Sequence, residues 1–577
     1  MTTRARRRSL QGIPAAPGAV HGRWLLVERR PPPTPSKIAA DDVEPEIERL
    51  RAAAASVAEE SDTLAERVAA AGAADEAGIF TAHAEMARDP ELVEVAAEHI
   101  RSQHIDAVGA IAQAAEAAAA MLRGLDDEVF KGRAADVLDV ADRISRQVRG
   151  IPPEDLSLDE PVIVVAQDLP PSVTATLPRE RLLGIALEGS SPTAHAAILA
   201  RAYRIPAAVA VPGLMDAFRD AGTDSHLMLD GGSGEVVIAP DSNDLARLDA
   251  LQSSELTART RDLGEAALPA ATLDATTIML LANIGGPAEA AEALELGAQG
   301  VGLFRTEFLF LERAHAPSEE EQADAYRRVV EAFAPSPVTI RLLDVGGDKP
   351  IPYLPIAPEE NPFLGVRALR LAHQRPDLFV TQLRACYRAA TSGNVKVMAP
   401  MVADTGDVSL LLDLAARARE GLAAERLEAG PVELGVMLEI PAAILVAESY
   451  LDRLAFASLG TNDLAQYALA VDRGNAALER YRDALHPAVL RLVRLAVQAA
   501  SRADVELSVC GEMAGDPAGA LALVGLGIRS LSMAPASLPA VRRAIRGARR
   551  DDLEAAATEA LDAGSSSDVR GRFASLV

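Results

Sequence analysis

The chain has 577 residues, a length that leaves room for about four units of ordinary domain size, and is 49% hydrophobic, enough to bury several cores, so disorder as a whole is excluded. It carries 57 Lys and Arg against 83 Asp and Glu, a net charge of −26, with only 3% aromatic residues, which speaks against polyanion binding and base stacking and so against nucleic acid. Its two cysteines, Cys386 and Cys510, form neither a metal pattern nor a disulfide framework, and no apolar run approaches the ~18 residues of a membrane span. No apolar stretch follows Arg4, Arg6, Arg7 and Arg8 as it would in a secretory signal. A cytoplasmic, multidomain protein without membrane insertion is expected.

Gly, Pro and short apolar runs in residues 11–35, among them Trp24-Leu-Leu-Val27, predict a strand with turns. From about 41 to 150 the pattern is helical. Val43, Ile47, Leu50, Ala54, Val57, Ser61, Leu64 and Val68 alternate spacings of four and three, the seam of packed helices. Asp41 and Asp42 stand where an N-cap and negative first-turn charge belong, and breaks fall near Gly72, Asp89-Pro90, Gln103 and Gly124. This segment holds 24 acidic and 11 basic residues, half the net charge of the chain in about a fifth of its length. It reads either as the solvated face of a bundle or as a docking surface for a basic partner.

From about 155 the texture is α/β, with strand candidates at 162–166, 182–186, 207–211 and 235–238 and a helix near 196–202. A polar helical connector runs from Asp241 to about Glu265. After about 272, eight strand candidates alternate with helices: 278–282, 300–304, 338–343, 395–399, 434–438, 455–459, 506–510 and 529–533. Eight such units in about 300 residues are the arithmetic of a closed (β/α)8 barrel, an open doubly wound sheet being the alternative. In a barrel, chemistry belongs just after the C-terminal ends of the strands.

Those ends carry Arg305 after the second strand, Arg341 in the third, then Asp344 to Lys349, Glu439 after the fifth, Gly460-Thr-Asn-Asp463 after the sixth and Cys510 at the seventh. Arginines there can be ion pairs of barrel packing. Two of them, with Lys349 and Arg473, also match the oxygens of a small phosphorylated acid, because guanidinium groups bind phosphate and carboxylate bidentately. Glu439 and Asp463 in one mouth would repel each other unless barrel arginines pair them or a divalent cation such as Mg2+ resolves the repulsion. Cys510 is either a proton donor or nucleophile, or inert packing. His195, in a polar loop before an alanine-rich helix, either closes a helix start or serves as a nucleophile toward phosphorus.

The combination resembles a known family. Gly302-Leu-Phe-Arg-Thr-Glu-Phe-Leu309, Asn361-Pro-Phe-Leu-Gly365 with Arg367, Ser458-Leu-Gly-Thr-Asn-Asp-Leu464 running into Ala470-Val-Asp-Arg-Gly-Asn475, and Val509-Cys-Gly-Glu-Met-Ala-Gly-Asp516 are together highly specific. From about residue 12 to 550 the chain is similar to enzyme I of the bacterial phosphoenolpyruvate-dependent sugar phosphotransferase system.

The resemblance implies a multidomain α/β architecture. A swivelling phosphohistidine α/β domain would comprise residues 1–40 and 151–240, with an inserted all-α docking domain at 41–150. A helical linker would follow at 241–271, then a barrel for phosphoenolpyruvate, Mg2+ and dimerisation at 272–577. It further implies Glu439 and Asp463 as metal ligands, and Arg305, Arg341, Asn462 and Arg473, with Lys349 and Arg367, around phosphate and carboxylate. His195 would become the phosphohistidine, and Cys510 would protonate the enolate of pyruvate. The phosphoryl group would then pass to the histidine-containing phosphocarrier protein HPr, and the chain would be a homodimer through its barrel.

The loop around the histidine departs from the family pattern. Ser190, Ser191 and Ala194 replace two glycines and a hydroxyl, and Pro170 stands where the family carries a further hydroxyl, which stiffens the loop and removes partners for the imidazole. Two other classes fit less of the chain. A dikinase or phosphoenolpyruvate synthase needs an additional nucleotide-binding domain, and an inactive phosphorylation sensor does not call for the intact barrel motifs.

Overall fold

The computed structural model describes the chain apart from residues 1–6, 28–34, 71–73, 124–127, 152–159, 171–172, 174–176, 190–195, 198–199, 201–204, 222–224, 311–314, 347–350, 352, 355–356, 358, 473–477, 479–480, 482 and 577. It divides into two compact units, Met1–Thr257 and Ala258–Val577.

In the first unit, β1 (Arg8–Gln11), β2 (Ile13–Ala16), β3 (Ala19–Val27), β4 (Val162–Ala166), β5 (Leu182–Leu187), β6 (Ala207–Val209), β7 (Leu227–Asp230) and β8 (Glu235–Ile238) form one sheet. Its order is β1-β8-β7-β3-β4-β5-β6-β2. The strands β3 to β6 pair in parallel, and the flanking pairs are antiparallel. Every residue of β4 is buried. Val162 and Val164 enter one apolar layer with Ala196, Ala197 and Ala200, while Ile163 and Val165 enter the other with Leu214, Met215 and Phe218. That is the two-residue period of a strand covered on both faces.

Between β3 and β4 the chain leaves the sheet for five helices: α1 (Val43–Ala70), α2 (Ala74–Arg88), α3 (Pro90–Gln103), α4 (Ala107–Arg123) and α5 (Glu128–Val148). Ile47, Leu50, Ala54 and Val57 of the predicted seam are buried against Ala96, Ile100, Ile111, Val140 and Ile144. The helix boundaries follow the predicted breaks. Asp89 caps α3 by accepting from the Glu91 amide, and Pro90 takes the first helical position, where its missing N–H is no loss. Asp41 and Asp42 lie in a 3-10 turn, Ala40–Asp42, that leads directly into α1, and they put negative charge at its N-terminal end.

The second unit is a closed parallel barrel of β9 (Met279–Ile284), β10 (Val301–Phe304), β11 (Val338–Arg341), β12 (Val395–Ala399), β13 (Val432–Leu438), β14 (Phe456–Leu459), β15 (Glu506–Val509) and β16 (Ser530–Met533). All eight overlap the predicted strands. Closure runs through β16 and β9, where Ser530 to Met533 pair with Met279 to Ala282, and this excludes the open sheet. Buried apolar side chains fill the space between strands and outer helices, and Leu303, Met398, Met437, Phe456 and Cys510 make a separate cluster. The polar stretch that begins near Asp241 forms one helix, Ser242–Glu265. Among the described residues, no helix is long and apolar enough to cross a membrane.

Candidate active site

The C-terminal strand ends of the barrel hold a linear alternation of buried charges. Past β10 the backbone turns into a short 3-10 helix, Thr306–Leu309, which keeps Arg305 exposed beside the Phe308 ring, 5.4 Å from its centroid, and buries Thr306 and Glu307. Glu307 Oε1 accepts from Arg341 Nη2 at 2.8 Å and from the Asp344 amide at 3.1 Å. Arg341, the last residue of β11, also lies 3.2 Å from Asp344 Oδ2 through Nη1. Asp344 then takes Arg367 in a fork, with Nε and Nη2 each donating at 3.0 Å. Arg367 Nη1 donates onward to Asp463 Oδ1 at 3.1 Å and to the Tyr467 hydroxyl at 3.3 Å. The order is Glu307, Arg341, Asp344, Arg367, Asp463.

Neutral groups brace this chain. Gln382 donates to Thr306 Oγ1 at 3.0 Å and to Tyr326 at 3.1 Å, and it accepts from the Leu343 amide at 2.9 Å. Thr306 donates in turn to the Arg341 carbonyl at 2.8 Å. Such second contacts fix the rotamers of charged side chains that would otherwise choose among several partners.

Glu439, directly after β13, is fully buried and stands apart from the alternation. Its Oε1 accepts from the Met401 amide at 2.6 Å, whereas Oε2 is buried without a partner among the described residues. Burial, then the charges of Asp463 and Asp344, push its carboxyl up to about 8, against the pull of Arg341 and Arg367. For both arginines burial alone would lower the pKa, but the surrounding carboxylates outweigh it and hold each guanidinium firmly charged. Among the described residues of the site, four buried carboxyl groups thus face two buried guanidinium groups. An orphaned carboxylate oxygen beside a second carboxylate fits one divalent cation, which takes few protein ligands and completes its shell with substrate oxygens and water.

Asp463 and Asn462 lie in the first turn of helix Thr461–Leu469, reached from β14 through Gly460. A Cβ on Gly460 would stand 2.7 Å from Glu439 Oε2, so only glycine lets this backbone pass the carboxylate. Asn462 Oδ1 accepts from the Glu512 amide at 2.9 Å. Cys510, after β15, is buried with Sγ 3.6 Å from the Leu459 carbonyl. Burial pushes its thiol up to about 11, and the Ser458 hydroxyl and Arg341 only partly oppose it, so sulfur carries its proton at neutral pH.

Of the residues singled out in sequence, Arg341, Arg367, Glu439, Asp463, Asn462 and Cys510 therefore gather around the strand ends, with Arg305 exposed beside its own loop. Asp463 is paired with an arginine, as the ion-pair reading expects, and Glu439 Oε2 has no partner among the described residues. His195, Lys349 and Arg473 lie outside the described residues, as do Ser190, Ser191 and Ala194. The structure adds Glu307 and Asp344 as charge partners of the site arginines. The signal was available, since Glu307 shares a motif with Arg305, and Asp344 stands three residues after Arg341.

Three family models match the chain in order: PEP-utilising enzyme, N-terminal, over residues 11–133; PEP-utilising enzyme, mobile domain, over 158–234; and PEP-utilising enzyme, PEP-binding domain, over 259–550. A phosphoenolpyruvate-protein phosphotransferase of Streptomyces coelicolor is 43% identical over 97% of this chain and 98% of its own. One of Geobacillus stearothermophilus is 36% identical over 98% of this chain and 97% of its own. A multiphosphoryl transfer protein of Rhodobacter capsulatus is 41% identical over 86% of this chain, but the match spans 59% of that longer protein. The chain belongs to the phosphoenolpyruvate-protein phosphotransferases and is an enzyme of the phosphotransferase class.

Proposed function

We propose that the chain transfers the phosphoryl group of phosphoenolpyruvate to its own His195 and from there to a histidine of the phosphocarrier protein HPr, releasing pyruvate as the first step of sugar phosphotransfer. The observation that carries the reading is the barrel mouth, where Glu439 and Asp463, with Arg341 and Arg367, present charge of both signs in one buried place. Phosphoryl transfer asks for positioning and charge neutralisation more than for covalent machinery.

In this reading Glu439 and Asp463 hold Mg2+, which when bound screens the anionic phosphate and carboxylate of the substrate. The orphaned Glu439 Oε2 supports that assignment. Arg305, Arg341, Arg473, Lys349 and Arg367 orient the substrate's anionic oxygens, and Asn462 contributes its amide nitrogen. The imidazole of His195 attacks phosphorus, the P–O bond to the enol oxygen breaks, and its electron pair remains on the enolate. Cys510 then gives its proton to the methylene carbon, a role suited to a thiol that is protonated at neutral pH. The acidic helices α1 to α5 dock the carrier, whose face would be basic or apolar, and the protein works in the cytoplasm as a homodimer joined through its barrel.

The test is incubation with [32P]phosphoenolpyruvate and Mg2+, followed by acid and by mass mapping. Acid-labile label at His195 that chases to the carrier supports the reading. Acid-stable label on Ser190 or Ser191 overturns it.

A further inference from the structure

The turn that carries Cys510 is held from neighbouring elements: the Cys510 amide donates to the Leu459 carbonyl at 3.0 Å, and two asparagines add to that. Asn462 accepts from the Glu512 amide, and Asn283, the fifth residue of β9, donates through Nδ2 to the Cys510 carbonyl at 2.9 Å. Asn283 Oδ1 accepts from the Ser532 hydroxyl on β16 at 2.6 Å. The direction of this relay is fixed, because a carbonyl can only accept; the amide nitrogen must face Cys510, and the amide oxygen must face a donor. Gly302 on β10 leaves the room, for a Cβ there would stand 2.5 Å from Ser532 Oγ. Gly511 seats the far side of the turn, since a Cβ there would stand 1.9 Å from Thr461 Oγ1.

The dry surface beneath has a consequence of its own. Leu303, Met398, Met437 and Phe456 cluster with Cys510, so the thiol lies against apolar side chains. With Sγ 3.6 Å from the Leu459 carbonyl and apolar side chains around it, the direction in which the thiol points depends on where the backbone of residue 510 is held.

Resting on the reading of Cys510 as proton donor, we propose that Asn283, locked by Ser532, is a positioning residue that aims the Cys510 thiol at one face of the enolate. In the step it serves, the C2–C3 π pair takes the thiol proton and forms the new C–H bond. The enolate oxygen becomes the ketone oxygen, and the S–H electron pair stays on sulfur as thiolate, which water then reprotonates. Asn283 bonds the carbonyl of residue 510 and acts through that backbone.

The full-length protein, with Mg2+, carrier and phosphoenolpyruvate stereospecifically deuterated at C3, is turned over in tritiated water, and the handedness of the pyruvate methyl group is read. The wild type should give one hand and Cys510→Ala a racemic methyl group. Asn283→Ala and Asn283→Asp, neither able to donate to the carbonyl, should move strongly toward racemic, with kcat lower by about tenfold and KM for phosphoenolpyruvate nearly unchanged. Ser532→Ala, the milder change, decides the matter if the Asn283 variants do not fold, with loss of handedness in the same direction. A racemic Cys510→Ala beside variants at 283 and 532 that keep one hand overturns the positioning role and leaves the function standing. A stereospecific Cys510→Ala removes Cys510 as the donor, and the inference falls with it.

Discussion

Glu439 and Asp463 look equivalent as side chains, yet their surroundings make them opposites. Asp463 is held by Arg367, while Glu439 is buried with one oxygen orphaned and its carboxyl pushed up to about 8. Glu439→Gln keeps the shape and the Met401 contact but removes the charge a cation needs. It should raise the Mg2+ required for phosphorylation by phosphoenolpyruvate at least about tenfold, while exchange between His195 and phospho-carrier persists, as a Mg2+ titration of each half-reaction will show. Equal loss of both would sink the division of roles. Asp344 poses a stability question, because it is the shared partner of two buried arginines. Asp344→Ala leaves both short of a counter-charge and should cost about 3–5 kcal/mol, read as a lower urea midpoint of the barrel unit. The cysteines make a pH prediction. Burial raises both thiols, Cys510 up to about 11 from an ordinary 9.0. The folded chain therefore binds this proton more tightly than the unfolded chain, so the contribution of Cys510 to stability is intact below pH 9 and fades as pH rises toward 11. In the native protein at pH 8 a thiol-disulfide reagent should find no fast-reacting cysteine, and two should react after denaturation. A fast thiol at pH 8 would contradict the buried, protonated state.

At the scale of elements, the site depends on where strands stop and helices begin. The β14-to-helix turn at Gly460 carries Asp463 inward on a first helical turn and clears Glu439 by the absence of a side chain. Gly460→Ala should therefore act on a neighbouring strand's residue. The added methyl displaces the Glu439 carboxylate, and phosphorylation by phosphoenolpyruvate should fall with the Mg2+ requirement raised, while the far-UV spectrum stays unchanged. Normal Mg2+ dependence in this variant would mean that the carboxylate yields freely and is not held as a ligand. Other elements are fixed by local chemistry alone. Helix Glu319–Phe333 opens on a capping box in which the Ser318 hydroxyl accepts from the Glu321 amide and the Glu321 carboxylate accepts from the Ser318 amide. Such boxes satisfy two orphan donors without tertiary help.

Over the whole molecule, the proposed nucleophile belongs to the first unit and every proposed barrel ligand to the second. Each unit has apolar clusters of its own. The two half-reactions should accordingly separate. A fragment ending near residue 250 should exchange phosphate reversibly with phospho-carrier yet take none from phosphoenolpyruvate. A fragment from about residue 265 should bind phosphoenolpyruvate with Mg2+ and dimerise, yet form no phosphohistidine. Labelled-substrate assays on the two fragments check this, and efficient self-phosphorylation of the first alone would remove the barrel as the substrate site. The net charge of −26, half of it on the helical insertion, predicts that carrier phosphorylation slows as salt rises.

The amino-acid sequence carries most elements of this protein in local pattern. Eight short apolar runs between Gly, Pro and charged loops mark the barrel strands, and the α1 seam follows from spacings of four and three, because side-chain periodicity is a local property of the backbone. It also marked the strand-end residues, since a parallel barrel puts its chemistry there. One short strand escaped: β7, Leu227–Asp230, has too few residues to show a period, while β6 falls within the predicted 207–211 and ends at Val209, before Ala210 takes a left-handed φ of 49°. Which charges meet depends on the folded path of the chain. Arg367 reaches Asp463 across 96 residues and Arg7 reaches Asp244 across 237, pairings set by the path of the sheet and the closure of the barrel. The same closure orphaned Glu439 Oε2 and set Asn283 against the Cys510 carbonyl. Electrostatics and hydrogen bonds act through space, and their strength in a buried site depends on neighbours that lie far away in the chain.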